Sequence, residues 1–211
     1  MPVDRWALLY LTEFGSDDFR NLESSLSQVG FGLVNPVTGA ITAFRDLGEA
    51  ERLAGQVAGV QEVSRDWVLS RLAERKHLGL DMWMKRGWDL LLSVSYLDGG
   101  VEVAFDLHSV ARTEYEAPML EMLLTMFKAA LREGIALGMS VDPEGYFEEF
   151  DWQGFFLGKK RLRGDPPRIL ALPASKLGQG PTKPGKATKE IAQDFVIFRR
   201  EYGPAMQPEA S

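Results

Sequence analysis

The chain has 211 residues, 45% of them hydrophobic and 26% charged, which is typical of a globular protein and not of a disordered one. It contains no cysteine, which excludes disulfide frameworks, thiolate metal sites and cysteine nucleophiles. Residues 1–158 carry 13 Lys and Arg against 25 Asp and Glu, whereas residues 159–211 carry 11 against 5. The acidic body disfavours nonspecific DNA binding, and the basic end is expected to contact either that body or an anionic partner.

The sequence predicts neither a signal peptide nor a membrane span. The N-terminal run lacks a basic start and a cleavage site, and no apolar stretch approaches the roughly 18 residues that a span requires. We therefore expect a cytoplasmic protein without membrane contact.

The first third of the chain predicts the order β-α-β-β-α-α. A strand is expected from Trp6, a helix from about Asp17 to Gln28, and a hairpin over residues 31–44. Helical spacing then extends from Asp46 to Lys76, with a break near Gly59. The glycine- and tryptophan-containing stretch that follows, residues 78–87, is interpreted as a junction.

The clearest local pattern is a hairpin from Asp89 to His108. Apolar residues alternate on both sides of Asp98-Gly99, a typical two-residue hairpin turn. This turn pairs Tyr96 with Val101, Val94 with Val103, Leu92 with Phe105, and Leu90 with Leu107. The opposite face is mostly polar.

A long helix is predicted to begin at a capping box, Thr113 to Glu116, and to reach about Leu137. Its apolar arc is widened by three methionines, so the stretch from Met119 to Ile135 is either the central helix of the fold or a homodimer interface.

Farther on, residues 178–189 are typical of a mobile basic linker. Beyond it, helical spacing predicts an amphipathic docking helix through Ile191, Phe195, Phe198 and Tyr202.

The fold class is therefore α+β, with antiparallel hairpins and short strands, and with helices packed on one face. Three segments are expected: residues 1–80, residues 81–177 with the hairpin and the long helix, and residues 178–211 with the linker and the docking helix. One continuous domain over residues 1–177 is the alternative.

The residues that most resemble a catalytic group are Ser93, Ser95, Asp106 and His108 on the polar face of the hairpin. They provide a nucleophile, a base and an orienting carboxylate, so a small hydrolase is one hypothesis, and a metal-assisted enzyme using Asp106 and His108 is its variant. Against both, neighbours on one strand face lie about 7 Å apart and a flat sheet face offers no oxyanion hole. We expect no catalytic residue, no metal and no cofactor.

Two other surfaces predict binding. An acidic and aromatic stretch with Tyr146, Glu148, Glu149 and Trp152 is expected to bind a protein partner, a basic one being its natural complement. Four cations, Lys159, Lys160, Arg161 and Arg163, form an anion-binding candidate, and with Phe155 and Phe156 beside them they suggest single-stranded nucleic acid as a further alternative.

The leading hypothesis is a non-enzymatic protein-interaction module, such as a bacterial regulator, an adaptor or an immunity-type inhibitor. It follows by elimination, because the sequence holds no catalytic motif, while its body is acidic and it carries two candidate binding surfaces.

Overall fold

In this computed structural model the described residues are 6–44, 59–84, 89–107, 109–110, 113–142, 150–163, 165–181, 187–192 and 194–200. Within them, eleven strands join one antiparallel sheet, and four α-helices and a 3₁₀ helix (Ala174–Gln179) complete the fold. The strands are β1 (Trp6–Leu11), β2 (Phe31–Gly32), β3 (Ile41–Phe44), β4 (Val60–Val63), β5 (Leu78–Met84), β6 (Asp89–Leu97), β7 (Gly100–Asp106), β8 (Ala136–Asp142), β9 (Ile169–Pro173), β10 (Ala187–Ile191) and β11 (Phe195–Arg200). The helices are α1 (Ser16–Gln28), α2 (Arg65–Ala73), α3 (Glu116–Arg132) and α4 (Trp152–Phe156).

The order of strands across the sheet is β10-β11-β9-β8-β1-β7-β6-β5-β3-β4, and β2 pairs with β5. Strand β1 therefore lies in the interior of the sheet, between β7 and β8. The predicted α+β class is confirmed.

The predicted hairpin is confirmed in position and in the register of three of its four predicted pairs; the fourth, Leu90 with Leu107, lies beyond the described ladder. Leu92 lies opposite Phe105, Val94 opposite Val103 and Tyr96 opposite Val101. Gly99 has a φ of +90°, which the tight turn requires and which side-chain-bearing residues rarely adopt. The apolar face of this hairpin defines the inner face of the sheet.

The main core lies between the inner face and helices α1, α2 and α3. Phe19 of α1, Val68 of α2 and Phe127 of α3 are all fully buried there. Met119 and Met122 of α3 are also buried, as a central helix requires. A homodimer through this helix stays a prediction.

The opposite, outer face of the sheet carries a second and smaller core. Helix α4 packs Phe155 and Phe156 against outer-face residues of the neighbouring strands, which are Tyr10, Leu170, Leu172, Val196 and Phe198. The prediction that helices pack on one face holds for α1, α2 and α3 and is wrong for α4.

At the C-terminal end the structure has strands where the sequence predicts a helix. Residues 195–200 form β11, in which Ile197 joins the main core whereas Val196 and Phe198 join the second core. Both faces of this strand are covered, so apolar residues occur without alternation and their spacing also fits a helix. Tyr202 and residues 182–186 of the predicted linker lie outside the described residues, whereas residues 187–189 belong to β10.

Helix α3 and strand β5 also depart from the predictions. The helix ends at Arg132, and β8 begins at Ala136, because Gly134 turns the chain with a φ of +76°. The helix begins at Glu116, so Tyr115 and not Thr113 is its N-cap; the Thr113 hydroxyl accepts a hydrogen bond from the backbone N–H of Tyr115 ahead of the helix. The expected junction at residues 78–87 contains β5, an interior strand whose first five residues are all buried.

The long helical pattern before β5 is only partly realised. Residues 45–58, where the first of the two helices was predicted, lie outside the described residues. Residues 60–63 form β4, and α2 takes up the rest of the predicted second helix.

Candidate functional site

A cleft of about 420 Å³ opens on the outer face of the sheet. Its floor is made by four adjacent strands, β6, β7, β1 and β8, and its wall by residues 150–153 at the start of α4. The residues that line it are Leu8, Tyr10, Ser93, Ser95, Leu97, Glu102, Ala104, Ser140, Asp142, Phe150, Asp151, Trp152 and Gln153.

Polar side chains form a row across the floor. Ser95 lies opposite Glu102 on the next strand, and Glu102 lies opposite Tyr10 on the strand after that. The Tyr10 hydroxyl donates a hydrogen bond to Oε2 of Glu102. Burial raises the pKa of Tyr10 far above its ordinary value, and the negative charge of Glu102 raises it further, so the phenol stays protonated and remains a donor.

The position of α4 depends on a glycine in β8, Gly138, which leaves room for a ring of the helix. A Cβ atom at Gly138 would lie 2.0 Å from Cε1 of Phe156, so the ring occupies the space that a side chain would take. The Phe156 ring in turn contacts Tyr10, with 4.7 Å between centroids, and stacks on Trp152 at 5.7 Å. Gly138 thereby lets the helix that carries the wall approach the floor.

The wall begins with an N-cap carboxylate. Oδ1 of Asp151 accepts a hydrogen bond of 2.7 Å from the backbone N–H of Gly154, and Oδ2 lies 3.0 Å from Nζ of Lys160. The hydrogen bond from Gly154 and the ammonium of Lys160 hold the pKa of Asp151 below its usual range. Asp151 is therefore an exposed, ionised group on the rim of the cleft.

A third carboxylate, Asp142, lies at the end of β8 and is only 6% exposed. Both Asp142 and Asp106 are Cα partners of Trp6, on opposite sides of β1, so the two acids share the outer face two strands apart. The described residues that line the cleft include three carboxylates and neither lysine nor arginine. Such a cleft favours a cationic ligand.

The structure brings together only part of the predicted catalytic group. Ser93 and Ser95 line the cleft, whereas Asp106 lies on the same face but not among the lining residues, and His108 is outside the described residues. Ser95 Oγ is instead 3.0 Å from Nδ1 of His77, an exposed residue just before β5. Among the described residues, no three His, Asp or Glu side chains are close enough to hold a metal ion.

The predicted partner-binding stretch contributes Trp152 to the wall of the cleft. Its ring meets Phe150 edge-to-face at 4.7 Å. Tyr146, Glu148 and Glu149 lie outside the described residues, so their role stays a prediction.

The predicted anion-binding residues Lys159, Lys160, Arg161 and Arg163 are all exposed, just after α4. The two aromatic rings expected to stack on bases, Phe155 and Phe156, are fully buried in the second core. A single-stranded nucleic acid would therefore meet charge here without these stacking partners.

Several lining residues were not anticipated from the sequence. The insertion of β1 between β7 and β8 brings Tyr10, Ser140 and Asp142 to the cleft. Pairing between strands so distant in the chain leaves no pattern in the local sequence. Asp151 could have been found as an N-cap, because it precedes a short aromatic run.

Comparisons with protein-family models, with curated proteins and with solved structures gave no match. In the part of the chain that the structure describes, no helix has the length and apolar character to cross a membrane.

Proposed function

We propose that this chain is a protein-interaction module that receives a basic segment of a partner protein in the cleft on the outer face of its sheet. The observation that carries the proposal is a concave site in which Glu102, Asp142 and Asp151 surround a space bounded by Phe150 and Trp152. Aromatic side chains supply contact area at interfaces, and carboxylates attract and orient a cationic partner.

The charge around the cleft supports a basic partner. In the sequence, residues 143–149 between Asp142 and Phe150 contain three glutamates and neither lysine nor arginine. The body formed by residues 1–158 has 12 more acidic than basic side chains, counted as 25 against 13. A field of this sign accelerates encounter with a basic protein and repels an acidic one.

The test compares capture of partners by the wild-type chain and by cleft variants in extracts of the native cell. We expect the double variant Glu102→Gln, Asp151→Asn to lose about tenfold or more of the captured basic protein, because it removes two negative charges from the lining of the cleft. Both substitutions preserve hydrogen-bonding oxygens, for Tyr10 and for the N-cap of α4 respectively, so the fold should persist.

Glu62→Gln is the matched control, because Glu62 is an exposed carboxylate on β4, at the far end of the sheet order. This variant should capture the partner as the wild type does. Equal capture by the double variant and by Glu62→Gln would overturn the proposal.

A hydrolase remains a second candidate because of the 3.0 Å contact between Ser95 and His77, which replaces the predicted pairing with Asp106 and His108. A histidine at this distance could take the serine proton during attack on an acyl carbon. Against it, Ser95 lies within a regular strand that pairs with β7, and such a strand has no turn that would aim two backbone N–H groups at an oxyanion. Labelling of Ser95 by a fluorophosphonate, abolished in His77→Ala, would favour this candidate over binding alone.

Nucleic-acid binding through Lys159, Lys160, Arg161 and Arg163 rests on charge alone. Electrostatic binding of this kind weakens steeply with salt. A titration with labelled single-stranded DNA at low salt tests it, and no affinity there would remove the hypothesis.

A further inference from the structure

We propose that the group held in the cleft is the guanidinium of an arginine side chain presented by the partner protein. This inference rests on the proposed function and specifies which cation the cleft selects. A volume of about 420 Å³ lies at the small end of ligand sites, suited to one or two side chains and not to a folded element.

The floor of the cleft is rich in hydrogen-bond acceptors. Glu102 uses one of its carboxylate oxygens to accept the Tyr10 hydroxyl, which leaves acceptor positions on both oxygens. Three serines, at positions 93, 95 and 140, add hydroxyl groups along the same face. A guanidinium carries five N–H donors in a planar fork, so it can use several acceptors at once.

The wall of the cleft favours the same group. Phe150 and Trp152 meet edge-to-face at 4.7 Å and both line the cleft; Trp152 is only 6% exposed and stacks on Phe156, so most of the aromatic surface on offer is that of Phe150. A guanidinium is weakly hydrated and stacks on aromatic faces, whereas an ammonium is a compact and strongly hydrated charge. The combination of an acceptor-rich floor with an aromatic wall therefore fits arginine better than lysine.

Quaternary ammonium groups are a poorer match for the floor. They bind aromatic walls through cation–π attraction, but they donate no hydrogen bonds. Acceptors such as Glu102, Ser93 and Ser140 would then lose water without gaining a donor from the ligand, which carries a desolvation cost.

The test uses four probes in amide NMR titrations of the full chain. Three are capped tripeptides with glycine on both sides of arginine, lysine or citrulline, and the fourth is tetramethylammonium. Citrulline has nearly the shape of arginine but no charge. We expect the arginine peptide to bind about fivefold tighter than the lysine peptide and about tenfold tighter than the citrulline peptide, with shifts centred on Ser93, Glu102 and Trp152.

The variant Glu102→Gln should weaken the arginine peptide about tenfold, and Glu62→Gln should leave its affinity unchanged. Equal affinity for lysine and arginine, or tightest binding of tetramethylammonium, would overturn the choice of guanidinium. If no peptide shifts the cleft signals but the cleft variants still reduce capture of the basic protein, the arginine inference fails and the proposed function stands. If no peptide shifts these signals and the cleft variants leave capture unchanged, the proposed function fails as well.

Discussion

Replacing Gly138 by alanine tests how the cleft is built. The new Cβ would lie 2.0 Å from Cε1 and 2.1 Å from Cδ1 of Phe156, whereas carbon atoms pack at about 3.5–4.0 Å, so the ring must withdraw by about 1.5 Å or more. Overpacking of a core costs about 1–3 kcal/mol. The displaced ring also weakens its contacts with Tyr10 and Trp152, each of which contributes about 0.5–1.5 kcal/mol.

We therefore expect Gly138→Ala to lower the free energy of unfolding by about 2–4 kcal/mol, measured by urea denaturation with tryptophan fluorescence. Gly178→Ala is the matched control, because no atom lies within 4 Å of its new Cβ, and it should change stability by less than about 0.5 kcal/mol.

A double-mutant cycle identifies the cause of the loss. Phe156→Ala alone should cost about 3–5 kcal/mol, because the ring is fully buried. In that background, Gly138→Ala should cost almost nothing, since the ring that it displaces is already gone. A loss as large in the Phe156→Ala background as in the wild type would refute the reasoning.

Substitutions at three further positions probe single groups. Burial, and to a smaller extent the charge of Asp89, raises the pKa of Asp81 to about 6 in the folded chain, above its ordinary value of 3.8. Its ionised form therefore destabilises the fold, by at most about 3 kcal/mol at pH 7, and this penalty disappears as the pH falls from 6 to 4. Asp81→Asn should accordingly raise the melting temperature at pH 7 but not at pH 4, and an equal gain at both pH values would contradict this. Tyr10→Phe removes the donor to Glu102 and should cost about 1.5–3 kcal/mol in urea denaturation, so an unchanged midpoint would show that this hydrogen bond contributes little. Gly99→Ala should lower the free energy of unfolding by about 1–2 kcal/mol, because the φ of Gly99 is +90°. Gly99→Asn should lower it less, since asparagine tolerates positive φ. Equal losses of stability in thermal unfolding would argue that the backbone conformation is not the cause.

Local patterns predicted the hairpin and failed at strands that are covered on both faces. The register of β6 and β7 follows from alternation and from a turn that only a few residue pairs can form, and both are visible in the sequence. In β11 the alternation is lost, because side chains on both faces are buried, and consecutive apolar residues fit a strand or a helix equally well. In β5 the core residues 78, 80, 82 and 84 do alternate, but Gly79 and Asp81 between them are typical of a turn and are buried here.

The sequence predicted which hairpin residues share the outer face, but not the cleft that they line. Ser93 and Ser95 were placed on the right face because a two-residue period fixes which side chains share a face. Tyr10 and Asp142 reach the same site through pairing between strands distant in the chain, which no local period encodes. The pairing of Ser95 with His77 was missed for the same reason, since His77 is brought there by the register of β5 against β6.

The interior position of β1 makes this strand the seam between two half-sheets, β7-β6-β5-β3-β4 on one side and β8-β9-β11-β10 on the other. Leu9 lies opposite both Val103 and Met139, so β1 finds its second partner only after about 130 further residues have been made. Such distant pairing is a slow step in folding. The cleft straddles the seam, with Glu102 on one half and Ser140 on the other, so a chain released before β8 has been made lacks one of the four floor strands and the whole wall, and its cleft is incomplete.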